Sequence, residues 1–276
     1  MNKPAVYVNF NTLQKNDATY TLDNYIKYLK WNPNKTEKVL EIGCGPGDVT
    51  KDILVPALPG NVEELVCLDR SEEMINFAKN NSKHDKIKYM QMDISNDDLT
   101  NVLGKNTFDH VFSFYCLNWV QDQRKAYKNI YDVLKPGGDA LVLLNAYHPV
   151  FEVYHWLAQQ EKYHLYHKET DNFVSPYFTK KHPKQDLEDI LTDLGFIIHA
   201  CEYKPLDFVF PNESYIKGFF LSVNPFVDLM PPSVREEYLQ ELVDEFKRKK
   251  MKGNVMSYAV LIACVQKPEQ DEPLVS

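Results

Sequence analysis

Val39-Leu40-Glu41-Ile42-Gly43-Cys44-Gly45-Pro46-Gly47-Asp48 decides how the rest of this sequence is read. A short apolar run, the pattern of a buried strand, feeds into three glycines at alternate positions. Behind them Val49, Ile53 and Leu54 fall on one side of a helix that Pro56 is expected to interrupt. A strand, a glycine turn and a helix in this order make a loop for a nucleotide-type cofactor. Each glycine lets backbone approach a neighbouring turn or a ligand where a Cβ would collide. Ordinary turns need glycine too, so the weight falls on Glu41 before the triplet and on the acids beyond it.

Working outward, Leu65-Val66-Cys67-Leu68-Asp69 is a second buried strand ending in an acid, 22 residues past Gly47. That is near the ~20-residue offset at which an acid meets the ribose hydroxyls of a cofactor. Ser71 caps a helix with Glu72 and Glu73 in its first turn and Met74, Phe77 and Ala78 on one face. Ile87 to Asp93 alternates like a strand and again ends in an acid. Phe108 to Tyr115 is a fourth strand that continues into Cys116-Leu117-Asn118-Trp119-Val120. Asp122 caps a helix with Ala126, Tyr127, Ile130, Val133 and Leu134 inward. Lys135-Pro136-Gly137-Gly138 stops it, and Ala140 to Leu144 is the fifth strand. Strands alternating with helices give a parallel sheet covered on both faces, an α/β fold. Before the loop, Leu22, Tyr25, Ile26 and Leu29 predict a helix over Thr21 to Trp31. Asn9, Asn11, Gln14, Asn16 and Asp17 precede it with the look of a solvated lead-in.

After residue 145 the pattern changes. Ala146 to Phe178 holds nine aromatics out of the chain's 17 Tyr, 15 Phe and 3 Trp, a density that suits an apolar wall. Lys184 to Leu194 reads as a helix closed by Gly195, and Phe196 to Phe210 as a long strand. A second interruption, Pro211 to Met251, carries Phe219, Phe220, Leu221, Phe226, Leu229 and Met230. Ser233 with Glu236 suggests a capping box for a helix reaching Phe246. Val255 to Val265 is the last strand, and the polar tail from Lys267 is expected to fray. The organisation is one domain over 1–276, with a cofactor-binding core at 36–145 and aromatic-rich insertions at 146–183 and 211–251.

With 276 residues and 44% hydrophobic content the chain can bury a large core. The formal net charge of -8 argues against nucleic acid or an anionic membrane surface as the main partner. The basic run Lys247, Arg248, Lys249, Lys250 and Lys252 follows an amphipathic helix and complements its C-terminal dipole. No apolar run in Met1 to Phe10 suits a signal peptide, and no segment approaches a membrane span. Five cysteines form no C-x-x-C pair, and Cys67, Cys116 and Cys264 sit in apolar runs. A reduced, cytoplasmic protein is the natural reading. His164 and His167 share a helical face, yet no Cys or carboxylate completes a metal set, so no metal is expected.

Glu41-Ile42-Gly43-Cys44-Gly45-Pro46-Gly47, Asp69, Asp93 and Leu134-Lys135-Pro136-Gly137-Gly138 stand in the order found in class I S-adenosylmethionine-dependent methyltransferases. The resemblance covers about Thr36 to Leu144 and implies a Rossmann-like, seven-stranded, mostly parallel sheet. Its last two strands would pair antiparallel, a role that Phe196–Phe210 and Val255–Val265 fit. It implies S-adenosyl-L-methionine as cofactor, with Asp69 on the ribose hydroxyls, Asp93 on the adenine amino group and Ile94 packing nearby. Glu41, Gly43, Cys44, Gly45 and Gly47 would approach the methionine portion, with Arg70 and Phe114 completing the pocket. A dehydrogenase fingerprint is G-x-G-x-x-G with a pyrophosphate on the helix N-terminus. Here the spacing is G-x-G-x-G, and Asp48 puts negative charge where a pyrophosphate would sit.

Asn9 to Asp17 together with Phe112 to Gln121 resembles the insect juvenile hormone acid O-methyltransferases. That family esterifies the carboxylate of farnesoic acid or juvenile hormone acid, and the resemblance assigns carboxylate contacts to Gln14 and Trp119. Many related methyltransferases carry His-Trp where this chain has Asn118-Trp119, so Asn118 would stand in as a neutral donor. An ionised carboxylate needs no general base, and the candidate pocket offers no obvious one. Tyr115, Asn118, Phe151, Tyr154, Trp156, Phe219 and Phe220 are the candidate walls for a small apolar carboxylic acid. The alternatives are methylation of a small polar, aconitate-like carboxylate, and a hormone-acid carrier without turnover. Whether the chain pairs with itself as a homodimer stays open.

Overall fold

The structure, a computed structural model, describes residues 3–269. Its centre is β1 (Glu37–Ile42), buried along most of its length. Parallel neighbours flank it on both sides, β2 (Val62–Asp69) and β4 (Phe108–Phe114). β3 (Ile87–Gln91) extends the sheet beyond β2, and β5 (Leu134–Tyr147) beyond β4, both parallel. The last three strands are β6 (Ile197–Val209), the two-residue β7 (Met251–Lys252) and β8 (Val255–Gln266). β8 inserts antiparallel between β5 and β6, giving the order β3-β2-β1-β4-β5-β8-β6 with β7 paired to β8 alone. The sheet is thus mostly parallel with an antiparallel last strand, as the resemblance implies.

The period of two along each strand sorts the core. Val39, Cys67, Phe112, Leu141 and Cys264 point to one face. Leu40, Ile42, Val66, Val111 and Val142 point to the other. On the first face lies α2 (Thr12–Tyr25), led by the short α1 (Pro4–Phe10). α3 (Val55–Ala57), α4 (Glu72–Asn81), α5 (Leu99–Leu103) and α6 (Gln123–Val133) alternate with the parallel strands. α7 (Val150–Ala158), α8 (Pro183–Asp193), α9 (Glu213–Val223) and α10 (Pro232–Lys250) follow β5. Among the described residues no helix is long and apolar enough to cross a membrane.

Four local expectations are corrected. The lead-in helix runs over Thr12–Tyr25 and ends in a 3₁₀ turn at Ile26–Tyr28, instead of spanning Thr21 to Trp31. Its buried face is Leu13, Gln14, Asp17, Ala18, Thr21, Leu22 and Tyr25, so polar residues occupy core-facing positions and hide the apolar period. Pro56 does not end the helix behind the glycine loop. A π turn over Thr50–Leu54 widens the backbone, Val55 N–H reaches back to the Thr50 carbonyl, and helix continues to Ala57. Ser233 forms no cap, because the helix begins at Pro232, which needs no N–H partner there, and Glu236 pairs with Lys217 instead. Lys267 is anchored by its ammonium to the Tyr131 and Leu134 carbonyls, the Pro268 carbonyl accepts from Gly137 N–H, and the tail from residue 270 lies outside the described residues.

Candidate active site

The glycine loop leaves β1 and is tied to β2 by backbone: Gly43 and Cys44 N–H both reach the Leu68 carbonyl. Gly43 has φ +81°, and a Cβ there would lie 2.2 Å from the Cys116 Cβ. Gly47, at φ +78°, backs against Tyr89 and Ser82, where a Cβ would come within 2.6 Å of the Tyr89 hydroxyl. Gly47 therefore serves loop packing and does not line the cofactor cavity, which corrects its expected contact. Gly45, with φ +54°, leaves open space beside it.

That space belongs to a cavity of about 280 Å³ at the C-terminal ends of β1, β2 and β4, the side of a parallel sheet where ligands sit. Leu68, Met74, Met92 and Ile94 give it an apolar wall for a flat base, and Phe114 and Tyr115 line it as well. Asp69 stands on its edge, one carboxylate oxygen accepting from Gly45 N–H and the other from Ser71 N–H, both at 2.9 Å. Asp93 is oriented likewise by Ser95 N–H (2.8 Å) and the Asn96 amide (2.9 Å). Burial pushes the Asp69 carboxyl above its ordinary value, and the two backbone donors pull the other way.

A small adjoining cavity lies under the loop, walled by Glu41, Gly43, Cys44, Asp48 and Gln14 among others. Glu41 is buried and accepts from the Thr50 hydroxyl at 2.5 Å. Desolvation raises its pKa to about 7. The charged groups of the two cavities are Glu41, Asp48, Asp69, Asp93 and Asp228 against Arg70 alone. This field repels a pyrophosphate and suits a ligand that carries ammonium and sulfonium charge, so the residues fit S-adenosylmethionine. Glu41 and Asp69 would hold its charged and hydroxyl groups, Ile94 and Met92 its base, and the bound group would supply an electrophilic methyl.

A third cavity opens on the other side of Tyr115. It is lined by Leu13, Gln14, Trp119, Phe151, Tyr154 and Phe219, with Asn118, Asn145 and His148 among the rest, and none of its lining residues carries a formal charge at neutral pH when His148 is neutral. Gln14 borders both this cavity and the one under the loop, and its buried Oε1 has no hydrogen-bond partner. Trp119 and Tyr115 border both this cavity and the cofactor cavity. In the amide orientation that satisfies both groups, Asn118 Oδ1 accepts from the Trp119 indole N–H at 3.0 Å and Nδ2 donates to the Tyr115 carbonyl. The indole N–H is thus turned to the Asn118 oxygen, while the Asn118 amide N–H is spent on the Tyr115 carbonyl.

Two of the expected wall residues lie elsewhere. Phe220 is fully buried edge-on against Phe246, at 4.7 Å between ring centroids, and is not among the residues lining the third cavity. Trp156 lies under the Lys249 ammonium, against α10. Helical geometry explains both: on α7 the residues at i and i+3, Phe151 and Tyr154, share a face, and Trp156 points away. Phe220 is turned about a hundred degrees from Phe219 for the same reason.

The sequence reading missed several groups. Tyr7 on α1 borders all three cavities. Asp17 accepts from Tyr258 (2.8 Å) and from Tyr115, fixing the wall between the cofactor and the third cavity. Tyr115 sits at φ +56°, unusual for a side chain other than Gly, Asn or Asp. Asn11 donates to Asp48 at 2.8 Å, and Lys15 pairs with the same carboxylate, fastening the lead-in onto the loop helix. The signal for Asp17 was its i, i+3 spacing from Gln14, on a helix whose polar positions were read as solvated. His167 is buried, bonded to Thr170 and Tyr238 and stacked on Phe226.

Residues 40–142 match the profile of a methyltransferase domain. Juvenile hormone acid O-methyltransferase of Bombyx mori is 35% identical over 244 residues, covering 88% of this chain and 86% of that protein. The Drosophila melanogaster protein of the same name is 33% identical over 246 residues, covering 88% and 82%. Phosphoethanolamine N-methyltransferase 2 of Haemonchus contortus, solved with S-adenosyl-L-methionine, shares the fold at a TM-score of 0.54 and 17% identity, covering 90% of this chain and 52% of that one. With a cavity shaped and charged for S-adenosylmethionine beside an uncharged one, the chain is an S-adenosylmethionine-dependent methyltransferase that belongs to the juvenile hormone acid O-methyltransferase family.

Proposed function

We propose that this enzyme transfers a methyl group to the carboxylate of an apolar sesquiterpenoid acid, farnesoic acid or juvenile hormone acid, giving the methyl ester. The observation that carries the reading is the lining of the third cavity: aromatic and aliphatic walls, neutral amides and no charged side chain. A tricarboxylate such as aconitate would leave two anionic groups there without a cation, at a cost of several kcal/mol each. The names of the two insect relatives point to the same acceptor.

The chemistry needs little beyond positioning. A carboxylic acid with pKa ~4–5 is ionised at neutral pH, so no group has to take its proton. Its attack cancels charge, so the transition state gains from a site that excludes water and aligns oxygen with the methyl carbon. Gln14 offers a neutral amide at the junction of the cavities, and Tyr115 and Trp119 form the partition across which the carboxylate must reach. An arginine would bind the carboxylate harder but would also hold back its attacking electrons.

Residues from 146–183 and 211–251 form the cap over this cavity, with α1 and α2 as a further wall. At about 40 Å³ the cavity is far smaller than the roughly 300–1,000 Å³ of ordinary ligand sites. A fifteen-carbon acid therefore needs more room than these side-chain positions leave. Five free cysteines support placement in the cytosol.

Methyl-ester formation from S-adenosylmethionine, followed by mass spectrometry over farnesoic acid, its epoxide, plain fatty acids and aconitate, tests the reading. Ester from the isoprenoid acids, lost in Gln14→Ala while cofactor still binds, is the expected result. Ester from aconitate alone would replace the acceptor. Binding of isoprenoid acid without any ester would leave a carrier.

A further inference from the structure

His148 borders the third cavity, between Asn145 and Val150 in the chain. Its Nδ1 accepts the backbone N–H of Val150 at 3.2 Å. Val150 is the first residue of α7, whose Pro149 N-cap offers no side-chain acceptor, so His148 satisfies an N–H that helix geometry leaves unpaired. An Nδ1 that accepts cannot carry a proton, so the ring proton of the neutral imidazole is on Nε2. The ring is held by Phe219, nearly parallel at 6.1 Å between centroids, by Phe151 at 5.9 Å and by Tyr258 at 6.2 Å. These neighbours come from α7, α9 and β8, and none is a carboxylate that would favour the imidazolium. Burial accordingly pushes its pKa down to about 3. No protein group among the described residues accepts from Nε2.

We propose that His148 is a substrate-binding residue that donates Nε2–H to the carboxylate of the acid, as a second neutral donor beside Gln14. The inference rests on the carboxylic-acid reading above. It assigns the imidazole one fixed tautomer, set by the helix N-terminus behind it, and one donor without a protein partner, on a residue that lines a cavity lacking charge. A carboxylate has two oxygens, and two neutral donors orient both without the electron-withdrawing grip of a cation.

The competing assignment is a purely structural one, in which His148 only caps α7. His148→Asn separates the two, because an asparagine can accept from the N–H two residues on but is too short to place a donor where Nε2 lies. Farnesoic acid binding to the full chain with S-adenosylhomocysteine is measured by calorimetry, with farnesol as a ligand lacking the carboxylate. The expected result is an unchanged melting temperature for His148→Asn, farnesol binding as in wild type, and farnesoic acid affinity lower by roughly ten- to a hundredfold. Nitrogen NMR of histidine-labelled wild type should show the Nε2–H tautomer, with that proton shifting when the acid is added. Acid affinity within twofold of wild type in a folded His148→Asn, or an Nδ1–H tautomer, would overturn the role while leaving the ester chemistry intact. Wild type that binds none of the isoprenoid acids would instead remove the acceptor on which both readings stand.

Discussion

The hydroxyl of Tyr115 donates to the Asp17 carboxylate across 98 residues of chain, joining the turn after β4 to the lead-in helix. Tyr258 donates to the same oxygen from β8, so one buried carboxylate fixes three elements around the partition between the cavities. Asp17→Leu strands two buried phenols and should cost about 2–4 kcal/mol in urea unfolding. The pH dependence identifies the carboxylate itself. Burial raises the Asp17 pKa above the ordinary carboxylate value, against the pull of both tyrosines. A raised folded-state pKa means that its contribution is fully present below the unfolded pKa of ~3.9 and is lost as pH rises through the folded value. Asp17→Asn does not titrate, so it should gain on wild type between pH 4 and pH 8. A stability difference that stays constant over that range would contradict the assignment.

Glu41 gives a second pH prediction, on cofactor affinity. Its folded pKa of about 7 implies a carboxyl that is partly protonated near neutrality in the free protein. Its own contribution to stability is present below the unfolded ~4.3 and falls away as pH rises through 7. A ligand bearing positive charge favours the ionised form, so S-adenosylmethionine should bind about three- to tenfold more tightly at pH 8 than at pH 6. Calorimetry on Glu41→Gln should show that slope abolished.

Gly43→Ala places a methyl group 2.2 Å from Cys116 Cβ at a φ of +81°. Overlap and backbone strain together should cost about 2–4 kcal/mol and prevent cofactor binding. Removing the Cys116 side chain in Gly43→Ala/Cys116→Gly should relieve the overlap but keep the strain, recovering part of the melting temperature. Full recovery would mean that φ at this position is unimportant.

Neighbouring aromatics of the cap should behave oppositely. Phe220→Ala should lower stability by about 3–5 kcal/mol, since its ring is wholly buried, with little change in KM for the acid. Phe219→Ala should raise that KM, and Trp156→Ala should do neither beyond the loss of its contact with Lys249. Ester kinetics paired with thermal melts of the three variants distinguish wall from core.

Much of the cofactor half was legible because its determinants are local. The run Val39 to Ile42 can be satisfied only inside a sheet, and the glycine spacing can serve only a tight turn, so strand, loop and following acids appear in chain order. Asp69 ends β2 and Asp93 follows β3 by two residues, each close in sequence to the strand that positions it. The lead-in was misread because Gln14, Asp17 and Thr21 occupy the core face of α2, where a periodicity test expects apolar residues. Polar residues survive there only because Tyr115 and Tyr258, far away in sequence, meet Asp17, and because a ligand cavity adjoins Gln14.

The sequence by itself determined the sheet, the glycine loop, its acids and the aromatic character of the segments after residue 145. Each depends on the chemistry of residues within a few turns of one another. The tertiary structure decided which aromatics face the acceptor, that the Trp119 indole is engaged by Asn118, and that Nε2 of His148 is the nitrogen left to donate. Those outcomes depend on the rotation of α7 and α9 against β5 and β8, and packing between distant elements sets that rotation, which no local periodicity encodes.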